Sequence, residues 1–76
     1  MALTREQYRL IGRNLRAARW RAGLLRSEIA KRLGLTEAII KAAEHGTQGL
    51  TSPEIQILCR IYRIDLRSVF RATTTR

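Results

Sequence analysis

Aromatic side chains make up only 5% of the 76 residues, and apolar and polar residues rarely alternate over a strand-length run. That excludes an all-β architecture, which draws on both features. Cysteine occurs once, as Cys59 inside an apolar run, so no internal disulfide can form and the thiol reads as buried and inert. Histidine also occurs once, as His45, and one His with one Cys cannot assemble a metal site. No paired-carboxylate, Cys/His, Ser/His or Gly-rich phosphate-binding arrangement is present. With so short a chain there is no room for a deep pocket either, so an enzyme is not expected, nor a cofactor or small-molecule ligand. No stretch approaches the ~20 apolar residues needed to cross a bilayer, and no apolar signal segment stands at the N-terminus. A cytoplasmic protein without a membrane partner is the expectation.

Acidic residues are the other shortage. Six Asp and Glu face fifteen Lys and Arg, for a net charge of +9. Such an excess repels itself unless a polyanion offsets it, which points first to nucleic acid. An acidic membrane surface, an acidic protein, or an Arg-rich surface set by base composition are the other readings. What the chain does have is Ala, Leu, Ile, Arg and Glu, and all but Ile are strong helix formers. An all-α domain with one small core follows.

The helices can be placed in order. Residues 1–3 should fray. Thr4 and Gln7 have capping-box spacing, so a helix starts near Arg5 and runs to about Ala22, stopping at Gly23. Tyr8, Ile11, Leu15 and Ala18 form its apolar stripe, and Arg5, Arg9, Arg13, Arg16 and Arg21 line the other side. Those arginines either solvate that side or make a positive surface. Trp20 lies off the stripe. Partial burial against the N-terminal region or the second helix is the simpler expectation; an exposed contact for a partner is the alternative.

Leu24 and Leu25 connect to the stretch RSEIAKRLGLTEAIIKAAEHG, Arg26 to Gly46. Ile29, Ala30 and Leu33 share one side of a short helix, which Gly34 breaks. Leu35 can plug the corner. Thr36 then caps a second short helix that buries Ile39 or Ile40 and Ala43. Two helices joined by a short Gly-containing turn form a helix-turn-helix. After the loop Thr47-Gln48-Gly49-Leu50, Thr51 and Glu54 form another capping box with Pro53 in the first turn. That helix runs to about Arg63 on Ile55, Leu58, Cys59, Ile61 and Tyr62. Asp65 can cap a last helix, Leu66 to Arg71. The domain should span residues 4–71, with 72–76 a disordered polar tail.

From Ile11 to Phe70 the chain resembles, without gaps, the phage-repressor helix-turn-helix family (Cro-type, or xenobiotic-response-element). The resemblance rests on Ile11-Gly12, Leu15-Arg16, Arg19, Gly23-Leu24, Glu28-Ile29-Ala30, Leu33-Gly34-Leu35, Ile40, Glu44, Gly46, Thr51, Ile55, Leu58, Ile64-Asp65-Leu66 and Val69-Phe70. It implies a compact five-helix, lambda-repressor-like domain, usually a DNA-binding dimer. It also implies a buried ion pair between Arg19 and Glu44. The chain departs from the family at Arg26 and Glu37, where Gln is frequent, and at Ala38, Lys41 and Ala42. Ala43 is smaller than usual, so the core should shift locally or Trp20 should help fill it.

The implied function is a small sequence-specific transcriptional regulator, a repressor binding an inverted-repeat operator as a homodimer. The outward side of the recognition helix is Thr36, Glu37, Ala38, Lys41, Ala42 and His45. Glu37 can accept from cytosine N4, Lys41 can reach guanine or phosphate, and Ala38 can touch a thymine methyl. Glu37 can instead simply favour the helix N-terminus. Arg26, Ser27, Thr47 and Gln48 are candidate phosphate contacts, their alternative being capping and solvation. Leu66, Val69 and Phe70 are the dimer candidates, with monomer core as their alternative. Phage, plasmid and other mobile-element circuits are the analogous setting. A protein-interaction module of the same fold, an antiactivator or antitoxin-like partner, is the rival reading.

Overall fold

The computed structural model describes residues 3–71. Five helices follow in order: α1 Arg5–Ala22, α2 Arg26–Leu33, α3 Glu37–Glu44, α4 Ser52–Tyr62 and α5 Leu66–Val69. No strand forms among the described residues. The expected tail, 72–76, lies outside them, as do residues 1 and 2. Leu3 does not fray: it packs half-buried against the core.

Local chemistry accounts for most boundaries. Thr4 Oγ1 accepts from the Gln7 N–H at 3.1 Å while Gln7 Oε1 accepts from the Thr4 N–H at 2.8 Å. Thr51 and Glu54 repeat this reciprocal pair at α4, at 3.3 and 2.8 Å. Thr36 caps α3 by accepting from the Ile39 N–H at 3.2 Å. Each cap satisfies backbone donors that the first turn leaves without a partner. Gly23 and Gly34 end α1 and α2 at φ 71° and 70°, the left-handed conformation in which a side chain would be strained.

Two ends depart from the sequence reading. Asp65 sits at the start of α5 in extended conformation, but its side chain makes no capping bond. That helix also stops at Val69, short of Arg71. Asn14, from the middle of α1, donates to the Val69 and Arg71 carbonyls at 2.7 and 2.9 Å and fixes the end of α5 there.

The core joins Ile11, Leu15 and Ala18 of α1 to Ile29 and Ala30 of α2, Ile40 of α3, Ile55, Leu58, Cys59 and Tyr62 of α4, and Val69. Removal of this apolar surface from water is the main force holding so small a domain together. Of the two isoleucines in α3, Ile40 is the buried one and Ile39 is half-buried. The helices α1 and α3 approach closely at Gly12. A Cβ there would overlap the Ala43 carbonyl oxygen and lie 2.7 Å from that of Glu44. The contact is with the Ala43 backbone, and Ala43 also lines a small cavity with Tyr8, Ile11, Leu15 and Ile55. Trp20 does not fill it: it is 66% exposed, with the Arg16 guanidinium 5.5 Å from its ring centroid. The reason is angular. Ile11, Gly12, Leu15, Ala18 and Arg19 occupy the inward arc of α1, and Trp20 falls outside it.

Candidate nucleic-acid interface

The helices α2 and α3 pack on each other across the Gly34 turn, and α3 also packs on α1. The C-terminal end of α3 is clamped. Arg19 Nε and Nη2 reach the two Glu44 carboxylate oxygens at 2.7 and 3.2 Å. Arg19 Nη1 also donates to the Leu24 carbonyl at 2.9 Å. Arg26 Nε adds a third contact to Glu44, at 3.0 Å. Arg19 and Glu44 are buried, and Arg26 keeps 28% of its side chain exposed. A two-pronged guanidinium–carboxylate pair is directional as well as strong. One carboxylate thus ties together the end of α3, the inner side of α1 and the start of α2.

This charge centre shows in its surroundings. The hydrogen bond to Glu44 raises the Arg19 pKa, opposed by burial and aided by the Glu44 charge. Burial, and next the Glu44 charge, push the Tyr62 hydroxyl well above the ordinary tyrosine range, partly opposed by Arg19. Burial, then Asp65, raises the Cys59 thiol. A raised thiol pKa means little thiolate, and Cys59 is buried, so this cysteine is a packing group.

The outward side of α3 is the opposite case. Glu37, Ala38 and Lys41 are exposed, and Ala42 is half-buried. Thr36 is exposed, with its hydroxyl oxygen accepting the cap bond. Beyond the helix, His45 holds its ring Nδ1 2.8 Å from the Lys41 carbonyl. A carbonyl only accepts, so Nδ1 is the donor and Nε2 is left for other partners. Thr47 Oγ1 donates to the Ala42 carbonyl at 3.1 Å, and its backbone N–H goes to the same oxygen at 3.0 Å. Both Thr47 donors are therefore held internally. Gln48 and Ser27 are exposed. The Arg26 terminal nitrogens carry no hydrogen bond among the described residues, so the side chain is anchored at Nε with its tip unclaimed.

The three residues grouped at α5 separate. Val69 is fully buried and belongs to the core, which removes it from any surface. Leu66 and Phe70 are exposed by 43% and 46% and flank a shallow cleft with Asp65 and Arg67. No group of three potential metal ligands comes together among the described residues. No helix among them is long and apolar enough to cross a membrane.

Sequence reasoning did not find the Arg26–Glu44 contact or the role of Asn14. Both join residues far apart in the chain, and neither leaves a periodic or capping signal.

A comparison with curated proteins returns no match. The sequence model of the helix-turn-helix domain matches residues 10–69, a span that contains the clamp, the Gly34 turn and all of α2 to α5. The matched span, the two helices packed across their glycine turn and the basic surface agree, and the chain belongs to the helix-turn-helix family of DNA-binding domains.

Proposed function

We propose that this protein is a small transcriptional regulator of the phage-repressor type, a cytoplasmic repressor that binds an inverted-repeat operator as a homodimer. The observation that carries the reading is the asymmetry of α3. Its inner side and C-terminal end are clamped by Arg19 and Arg26, while Glu37, Ala38 and Lys41 stand exposed along its other side. A helix held rigidly with its outer side free can enter a major groove, the docking mode of this motif. Glu37 then accepts from cytosine, Ala38 meets a thymine methyl, and Lys41 reaches guanine or phosphate. Arg26, Ser27, Gln48 and the Thr36 hydroxyl set the register on the backbone, with His45 and Thr47 at its margin. Leu66 and Phe70 supply the apolar contact between copies, placing half-sites about one helical turn apart. The base-reading set is small, so phosphate contacts and DNA shape carry much of the affinity.

The test is a salt series on the promoter DNA of its own gene, on its isolated half-sites and on random duplex. The expected result is a preference for an inverted repeat, and a loss of about 1–3 kcal/mol of discrimination in Lys41→Ala. Equal affinity for all duplexes with a steep salt slope would reduce the function to charge attraction. One observation favours a second reading, a protein-interaction module of the same fold: Trp20 stands 66% exposed on α1. Absence of DNA binding at moderate salt would overturn the regulator and leave that module.

A further inference from the structure

The family match begins at residue 10, but α1 begins at Arg5. The first five residues of α1 therefore lie outside the matched span. Arg5 and Arg9 stand four apart, on the same side of this extension. Both are exposed, and neither pairs with an acidic side chain among the described residues. That side meets the end of α3. A Cβ on Gly46 would lie 2.7 Å from Arg9 Cα, so the loop leaving α3 runs directly over the helix. Between them lies an open cleft of about 540 Å³, lined by Arg5, Tyr8, Arg9, His45 and Thr47. No acidic residue lines it.

Helix stability does not explain Arg5. The first helical position lies at the positive end of the helix dipole, where a cation is disfavoured and an anion favoured. An anion placed in the cleft gains from both guanidinium groups. We propose that this cleft is a backbone-phosphate site for duplex DNA, by which Arg5 and Arg9 extend the interface beyond the major-groove contacts of α3. The inference rests on the DNA-binding reading above. It adds contacts that hold any sequence equally, because phosphates carry no base identity.

The experiment is fluorescence anisotropy of the full chain on duplex DNA, from about 50 to about 200 mM salt. Each phosphate contact contributes about 0.9 to the slope of log affinity against log salt, so two lost contacts shrink the affinity change across that range by about tenfold. The Arg5→Gln/Arg9→Gln variant is expected to show this loss equally on operator and random duplex. Arg5→Lys/Arg9→Lys is expected to retain the wild-type slope. Arg21→Gln/Arg32→Gln removes the same charge from a separate cleft beside Ile61 and Tyr62, and is expected to change the slope much less. An unchanged slope in Arg5→Gln/Arg9→Gln, or an equal loss in the Arg21/Arg32 control, overturns the site and leaves the regulator standing. Wild-type protein that does not bind DNA overturns both.

Discussion

The two sides of α3 are built to opposite rules. On its inner side Ile40 is buried in the core, the Ala43 carbonyl lies against Gly12, and Glu44 serves two guanidiniums. On its outer side Glu37, Ala38 and Lys41 touch solvent. A helix of eight residues cannot hold its shape alone in water. One side must therefore be over-determined if the other is to be left open for a ligand. Substitutions on the closed side should act on stability, and those on the open side on recognition.

That division can be broken most directly at Glu44. Glu44→Ala leaves the buried Arg19 without its counter-charge and should lower stability by about 3–5 kcal/mol, measured by urea denaturation followed by far-UV circular dichroism. Lys41→Ala, one turn earlier, should stay within about 0.5 kcal/mol of wild type in the same measurement. Equal losses would show that the two sides of α3 are stabilised evenly. Gly12→Ala comes next. Its Cβ meets backbone carbonyls that cannot rotate away, so α1 and α3 must part, at about 1–3 kcal/mol.

The smallest effect sharpens the comparison through pH. Cys59 and Tyr62 both hold their protons more tightly folded than unfolded. Their contribution is complete below the unfolded pKa values and is lost as pH rises. Stability should stay level up to the ordinary thiol value of 9.0, and fall more steeply above the ordinary tyrosine value of 10.0. Cys59→Ala should move the onset to the upper value. An unchanged onset would mean that the thiol is not buried in solution.

What could be read from the sequence was the local part. Thr4, Thr36 and Thr51 announce helix starts because a cap is a contact over three residues, and Gly23 and Gly34 announce ends through backbone conformation alone. The stripe Ile11, Leu15, Ala18 follows from helix geometry. What escaped was contact at a distance. Asn14 reads as one more polar residue on α1, yet it binds carbonyls 55 and 57 positions away. Gly12 reads as a weak point in a helix, whereas it is the place where α3 comes close. Val69 and Phe70 are neighbours in sequence but lie on opposite sides of the surface, which apolarity alone does not separate. On the open side of α3 the residues could be named but not ranked, because a side chain facing solvent leaves no packing signature.

The position of Trp20 has a practical consequence. It is the only tryptophan in the chain, and most of its surface faces solvent in the folded state. Its emission colour will therefore change little when the domain unfolds, while any molecule that settles on the outer side of α1 will shift it. The protein carries a built-in optical reporter that is nearly blind to folding and tuned to contact.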